Sequence, residues 1–267
     1  MKNGILVIIG CIRQLRENWR VVVRLVALWF ALSFASSTIL LFPIGQAGAG
    51  AGASAKIGNI LYMFIPIAVM IIGCSSVAVG WHRFMLMGER PQRFYLIKNG
   101  MLLFVYIMRS IQIGLIGLLV YGLVYLLNHI LLKEVLTLTP PVIDGVSSIV
   151  FMVMGVVFVW LSFRLSLILP ALAVGIDLRL KDSFELTKVI RIELAVISIG
   201  LVLIQEVPQM VIGFAAQFAI LSFGPVFWTP TIIIFEIFNW FVILLAAAIL
   251  TQAFSHLYFA KLAASEE

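Results

Sequence analysis

The sequence predicts an all-α, polytopic membrane helix bundle with about six transmembrane helices, an N-terminal amphipathic helix and both termini in the cytoplasm. Of the 267 residues, 63% are hydrophobic and only 11% are charged, which is too apolar for a soluble domain with one buried core. The apolar residues form six long stretches, and basic residues gather in alternate connections between them. Roughly 20 apolar residues match a hydrocarbon core about 30 Å thick.

Residues 1–20 form an N-terminal segment ahead of the first apolar stretch. Apolar side chains recur there at helical spacing, opposite several arginines. This pattern predicts an amphipathic helix over residues 4–20 that lies on the membrane surface or continues into the first span. A cleaved signal peptide is not expected, because the apolar run is short and arginines follow it directly. The predicted apolar face consists of Ile5, Ile8, Ile9, Ile12, Leu15 and Trp19.

A single membrane domain covers residues 21–254, and residues 255–267 form a cytoplasmic tail. The predicted spans are 21–42, 57–80, 100–127, 146–169, 192–222 and 231–254. A kink or a break is expected at Pro208 in the fifth span, because proline removes one backbone donor. The Gly/Ala-rich stretch around residues 45–53 predicts a mobile external tether. In the third span, Gly114, Gly117 and Gly122 are expected to let a neighbouring helix approach closely.

The distribution of lysine and arginine predicts the orientation. The N-terminal segment together with Arg24 carries five, the second-to-third connection four, the fourth-to-fifth connection together with Arg164 five and the tail one, whereas the opposite side has only Lys56 and Lys133. Fifteen bases against two place both termini in the cytoplasm. In such a protein the net charge of +6 reports topology, so no nucleic acid partner is expected.

Polar residues within the predicted spans form the first candidate site. A charge at such depth costs about 2.5–3.5 kcal/mol, so a partner or water is expected. Helix depth places Arg109 and Glu206 at similar heights, which predicts an ion pair that either holds the bundle together or lines a transport pathway. The set comprises Arg109, Gln112, Gln205, Glu206, Gln209, Glu236 and Asn239.

A second set of residues lies where the helices are predicted to leave the cytoplasmic side of the bilayer. These side chains are expected to contact anionic phospholipid headgroups, each base contributing about 1 kcal/mol near a charged surface. The set comprises Trp81, His82, Arg83, Arg90, Arg93, Arg164, Arg179, Lys181 and Lys188. His82 and His256 are either interfacial residues or a pair that meets at a metal or haem, and the first interpretation is favoured. No cofactor or metal is expected, and Cys11 and Cys74 lack the spacing of a disulfide framework or a zinc site.

A third set follows Arg164, where the chain runs through SLILPALAV and then DSFELTK. Pro170 is expected to end the fourth helix, and the capping-box spacing of Asp182 and Glu185 predicts that a new helix begins there. The two segments resemble the bacterial YciC-like family and the membrane domain attached to some glycerophosphodiester phosphodiesterases. The residues that carry this resemblance are Ser166, Leu169, Pro170, Ala171, Asp182, Ser183 and Thr187.

Members of that group usually have a tryptophan and then a glycine where this chain has Phe184 and Val189. The resemblance implies a six-helix protein of the bacterial inner membrane. It implies no particular activity, because the group has no agreed function.

The motifs of common enzyme classes are absent from the sequence. Walker, GxSxG and HExxH patterns do not occur, and the 12 acidic residues are scattered. The leading expectation is a non-enzymatic inner-membrane protein that organises lipid, or an accessory subunit with a protein partner in a membrane complex. Two alternatives stay open. One is a small transporter or channel with a polar midplane site around Arg109 and Glu206, and the other is a membrane-embedded lipid enzyme using His82, Arg83 and Glu89.

Overall fold

The structure, a computed structural model, describes residues 3–44, 53–91, 100–130, 140–223 and 228–265. All regular secondary structure in these ranges is helical, which confirms the all-α part of the predicted fold class. The short helices are α1 (Gly4–Glu17), α6 (Ile168–Ala173) and α7 (Leu180–Leu186), the last continued by a 3₁₀ turn at Thr187–Ile190. The long helices are α2 (Trp19–Ile44), α3 (Ala53–Met87), α4 (Gly100–Ile130), α5 (Pro140–Leu165), α8 (Arg191–Phe223) and α9 (Trp228–Ser265).

Five helical stretches among the described residues are long and apolar enough to cross a membrane. They are Trp19–Thr38, Phe64–Met87, Gly100–Leu127, Val150–Ala173 and Thr229–Ala260, and each overlaps one of the six predicted spans. The remaining predicted span corresponds to α8, which has 33 residues and continues through Pro208. Of the kink or break predicted at this proline, the break is therefore wrong, and the kink stays a prediction. At a rise of 1.5 Å per residue, a helix of this length extends about 50 Å.

The predicted N-terminal helix is present as α1, and it packs against α8 and α9. The side chain of Asn3 caps it by accepting a hydrogen bond from the backbone N–H of Ile5. The face buried against the bundle consists of Gly4, Val7, Ile8, Cys11 and Leu15. Four residues of the predicted apolar face are exposed instead, namely Ile5, Ile9, Ile12 and Trp19. The face is divided because protein covers only one side of the helix.

The central helix of the bundle is α9, which packs against α1, α2, α3, α6 and α8. Its side chains Trp240, Leu245 and Phe254 are almost fully buried. On the periphery, α4 packs against α3, α5 and α6, and α5 packs against α8. Exposed apolar side chains cover the outer faces of α4 and α8, including Leu119 and Phe218, as is expected for helices in contact with lipid.

Close helix approach occurs at only one of the three predicted glycines. A Cβ atom at Gly117 would overlap the ring of Phe158 on α5, whereas Gly114 and Gly122 face open space. The prediction is therefore confirmed for Gly117 and wrong for the other two, because only Gly117 lies on the side of α4 that meets α5.

Several contacts bring the most basic parts of the chain to one end of the bundle. The end of α3 meets the end of α9 where His82 bonds Thr251, and α1 meets α9 where Cys11 bonds Gln252. Arg83 donates to the carbonyl of Ala173 at the end of α6. We call this region, which contains α1, the C-terminal ends of α3 and α9, and the α6–α7 segment, the basic end.

The helix boundaries between α5 and α8 differ from those predicted. α5 ends at Leu165, so Pro170 does not end it. Pro170 lies in the first turn of α6. Backbone N–H groups in the first turn have no acceptor within the helix, so proline loses no hydrogen bond there. α7 begins at Leu180 and not at Asp182, with no side-chain cap at its N-cap residue Arg179. Asp182 lies instead in the first turn, where the helix dipole favours a carboxylate, and it accepts hydrogen bonds from Arg179.

Candidate functional site

His82 is fully buried where α3 meets α4 and α9. Its Nδ1 atom lies 2.7 Å from Thr251 Oγ1, and its Nε2 atom lies 3.2 Å from the hydroxyl oxygen of Tyr106. The Thr251 hydroxyl donates to the carbonyl of Ala247 at 2.7 Å, so it is left to accept from the imidazole. These bonds assign a neutral ring with its proton on Nδ1, and Nε2 then accepts from the hydroxyl of Tyr106.

The length of α3 explains why Trp81 and His82 lie in the interior although they were predicted at the membrane surface. The second span was expected to end at residue 80, but α3 continues to Met87 and stops where Gly88 adopts a φ of 70°, a conformation that favours glycine. The two added turns carry Trp81 and His82 into the interior, where both are 0% exposed. Neither side chain faces headgroups.

His256 is exposed on α9, and both ring nitrogens of His82 are already hydrogen-bonded, so the two histidines do not form a ligand pair.

A cavity of about 520 Å³ adjoins His82 between α3, α4 and α9, and we call it the α3–α4–α9 cavity. Its polar lining side chains are Cys74, Ser75, His82, Tyr106 and Ser110. Ser75 is 5% exposed, and its hydroxyl makes no hydrogen bond to any described residue. The rest of the lining is apolar: Met70, Ile71, Ala78, Ile111, Leu169, Ile243, Ala246, Ala247 and Leu250. An apolar cavity with a few polar groups is the usual form of a small-molecule site.

A second cavity of about 320 Å³ lies at the basic end, between α1, α3 and α9. Gln14, Gln252, Ser255 and His256 line it together with Thr251. Thr251 therefore touches this cavity while its hydroxyl bonds the histidine that lines the larger one.

Cys11 is a residue of α1, and its side chain faces α9, where its Sγ donates to Gln252 Oε1 at 3.0 Å. Burial raises the pKa of the Cys11 thiol to about 12. The thiol therefore stays protonated at neutral pH, as this hydrogen bond requires, and its reactivity is low.

The predicted ion pair between Arg109 and Glu206 is absent from the described part of the chain. Arg109 Nη1 donates to Gln112 Oε1 at 2.9 Å, and both side chains are exposed on α4. Glu206 is exposed on α8. Helix depth gave both residues similar heights, but depth does not identify neighbouring helices, and α4 packs against α3, α5 and α6.

The other predicted intramembrane polar residues link α9 to its neighbours. The amide nitrogens of Gln205 and Gln209 on α8 lie 3.3 and 3.0 Å from Asn239 Oδ1. The hydroxyls of Ser33 and Ser37 on α2 lie 3.0 and 3.1 Å from the carboxylate oxygens of Glu236. The predicted set therefore divides into separate contacts and does not form one midplane site.

Sequence reasoning missed several polar residues that take part in these contacts. Serine, threonine and tyrosine occur often within apolar helices, and their spacing carries no signal until the neighbouring helix is known. The missed residues are Ser33, Ser37, Ser75, Tyr106 and Thr251.

Arg164 was predicted to lie at the headgroups, but it is only 6% exposed. Its Nη2 donates to the carbonyl of Phe184 at 3.0 Å, and its Nε donates to Thr187 Oγ1 at 3.3 Å. The guanidinium carbon lies 3.5 Å from the centre of the Phe184 ring, a cation–π contact. Ser183 Oγ donates to the carbonyl of Arg164 at 2.7 Å.

The residues that carry the family resemblance thus join α5 to α7. Those of the SLILPALAV segment are buried, namely Ser166, Leu169, Pro170 and Ala171.

The other described residues of the predicted headgroup set lie in or next to the basic end. Arg83 pairs with Glu89 at 2.5 Å, Arg90 and Lys181 are exposed, and Arg93 lies outside the described residues. Arg179 and Lys188 form ion pairs with acids of α7. Exposed ion pairs contribute only about 0–1 kcal/mol, so headgroup contact stays a prediction for these bases.

Five apolar helical stretches of membrane-spanning length, one of them in α9, indicate a helical bundle of the membrane-protein class. No family model, no curated protein and no solved structure matches the chain. Within the described ranges, no group of three or more His, Cys, Asp and Glu side chains is placed to hold a metal ion. The candidate site is therefore defined by its own geometry, as the α3–α4–α9 cavity with His82 at its wall.

Proposed function

We propose that this chain is a non-enzymatic protein of the bacterial inner membrane that binds a lipid, or another membrane-soluble molecule, in the α3–α4–α9 cavity. The observation that carries the proposal is the cavity itself, with a volume of about 520 Å³ and mostly apolar walls. Small-molecule sites have volumes of about 300–1,000 Å³. This cavity suits one acyl chain or a compact apolar tail with a small polar head.

The polar side chains of the cavity indicate what that head would carry. The hydroxyl of Ser75 has no partner among the described residues and is able to donate or accept. The hydroxyl of Tyr106 donates to His82, and its oxygen keeps lone pairs for a ligand donor. A hydroxyl group would satisfy both partners and a carbonyl group would accept from Ser75 alone, whereas a charged head would have no opposite charge in the lining.

The topology we propose has six spans, with α8 as the fifth, and both termini in the cytoplasm. α8 is long enough to cross the hydrocarbon core. Six crossings return the chain to its starting side, which agrees with the position of α1 and the C-terminal end of α9 at the basic end. A cytoplasmic basic end follows the positive-inside rule, and its exposed bases would attract anionic headgroups.

Membership of the YciC-like group is part of the proposal and is supported by the sequence of the two segments that resemble it, SLILPALAV and DSFELTK. Phe184 stands where members usually have tryptophan, and its ring packs against Arg164. Tryptophan would make the same cation–π contact at least as well, so the substitution in this chain preserves the interaction.

The test is purification in a gentle detergent followed by mass spectrometry of the lipids and proteins that co-purify. Ala246→Phe places a ring in the α3–α4–α9 cavity, and Ala260→Phe makes the same change at an exposed position of the same helix. We expect one lipid class to co-purify with the wild type and with Ala260→Phe, and to fall at least about tenfold in Ala246→Phe. Gel filtration checks that both variants are folded.

Equal lipid in the two variants would contradict the proposed site. A stoichiometric protein partner without bound lipid would instead favour an accessory subunit of a membrane complex.

A further inference from the structure

We infer that Glu236, together with Ser33 and Ser37, forms a binding site for one monovalent metal cation, Na⁺, between α2 and α9. Ser33 Oγ lies 3.0 Å from one carboxylate oxygen of Glu236, and Ser37 Oγ lies 3.1 Å from the other. Ser33 is 1% exposed. Glu236 is eight residues from the start of α9, or about 12 Å along the helix. This site is separate from the proposed lipid function and does not depend on it.

The Ser33 hydroxyl has one proton and lies near two acceptors. Its hydroxyl oxygen lies 3.1 Å from the carbonyl oxygen of Phe30 and 3.0 Å from Glu236 Oε2, and it accepts the indole N–H of Trp240 at 3.1 Å. A hydroxyl has one proton and can donate to only one of two acceptors. When Ser33 donates to Phe30, its oxygen and Glu236 Oε2 face each other as two acceptors. A positive species between them would remove that conflict.

The charge of the site favours a single positive charge. None of the ion pairs among the described residues involves Glu236, and an uncompensated carboxylate at this depth is unfavourable. A monovalent cation would make the site neutral, whereas a divalent cation would leave a net charge of +1.

The ligand atoms also suit a hard cation. Two hydroxyl oxygens of α2 each contact one carboxylate oxygen of Glu236 on α9, and hard cations take oxygen ligands. Mg²⁺ requires near-ideal octahedral geometry and retains several waters. One carboxylate and two hydroxyl groups do not provide an octahedral set of ligands.

The experiment measures binding of radioactive sodium and the thermal unfolding of purified protein in choline buffer, with and without NaCl. Glu236→Gln removes the charge with little change of shape, and Ser37→Ala removes one ligand and one hydrogen bond. Glu206→Gln is the matched control, because Glu206 is exposed on α8. We expect saturable sodium binding and a higher Tm in NaCl for the wild type and for Glu206→Gln. In Glu236→Gln and in Ser37→Ala, sodium affinity should fall at least about tenfold.

Absence of a sodium effect in the wild type would overturn the inference, as would an undiminished effect in Glu236→Gln. If Tm responds to pH but not to sodium, and Glu236→Gln abolishes that response, the positive species is a proton and the cation site is refuted. Ser37→Ala tests the site even if Glu236→Gln fails to fold, because it retains the carboxylate.

Discussion

Thr251 is the acceptor that fixes the ring of His82, and its hydroxyl can be removed with almost no change of shape. In the wild type, Nδ1 of His82 lies 2.7 Å from Thr251 Oγ1, which accepts its hydrogen. In Thr251→Val this buried donor would have no acceptor. Water cannot replace it easily, because His82 is 0% exposed. Leaving a buried donor unsatisfied costs about 1–3 kcal/mol. The ring could instead move its proton to Nε2 and donate to Tyr106, but Nδ1 would then be an unpaired acceptor, so part of the cost would remain.

The assay is thermal unfolding of Thr251→Val and Thr251→Ser in the same detergent. For a protein of roughly this size, 1 kcal/mol shifts Tm by about 2–4 °C, so we expect Thr251→Val to unfold about 2–12 °C below the wild type. Thr251→Ser keeps the hydroxyl and loses one methyl group, which costs about 0.8 kcal/mol. Nitrogen NMR of the histidine rings reports the tautomer directly, and we expect the Nδ1–H form of His82 in the wild type and in Thr251→Ser. Equal Tm values for the two variants, or an Nε2–H ring in the wild type, would refute the proposed network.

Three further predictions concern helix packing, the Arg164 contacts and the Cys11 thiol. Gly117→Ala should destabilise the protein by about 1–3 kcal/mol relative to Gly114→Ala, because only its methyl group meets Phe158; equal unfolding temperatures would contradict this packing. Arg164→Lys should cost about 1.5–3 kcal/mol in unfolding experiments, because lysine cannot make both directed bonds to α7, and an unchanged stability would count against them. Because the pKa of Cys11 rises from 9.0 to about 12 on folding, the thiol loses its proton in the unfolded chain first. Stability should therefore fall as pH rises from about 9 to 12. In Cys11→Ala the part of this fall that comes from the Cys11 thiol should be absent.

Hydropathy and charge were sufficient to predict the helices, because membrane insertion depends on properties that each segment carries by itself. They were insufficient for the site, because His82 and Thr251 are 169 positions apart and no periodicity relates residues on different helices. The predicted pairing of Arg109 with Glu206 failed for the same reason. Glu236 and Asn239 were recognised as polar residues within a span, but their serine and glutamine partners became apparent only with the packing of α2 and α8 against α9.

Three sets of polar contacts in the bundle interior join α9 to three different neighbours. Thr251 bonds His82 of α3, Asn239 bonds the glutamines of α8, and Glu236 bonds the serines of α2. Hydrogen bonds between helices in membranes average only about 0.6 kcal/mol each, so their sum is small beside the packing of the apolar core. Their geometry, however, is directional, and each fixes the rotation of α9 against one helix.

This arrangement gives α9 a role beyond packing. Ala246, Ala247 and Leu250 of α9 line the α3–α4–α9 cavity, and Glu236 lies on the same helix. A rotation of α9 would therefore alter the bonds to His82, the shape of the cavity and the oxygen ligands around Glu236 together. If sodium and lipid both bind, they should influence each other's affinity through this helix, and by linkage each would change the other's by the same factor. Sodium titrations of the wild type and of Ala246→Phe would reveal that coupling, and equal sodium affinity with and without bound lipid would show that the two sites are independent.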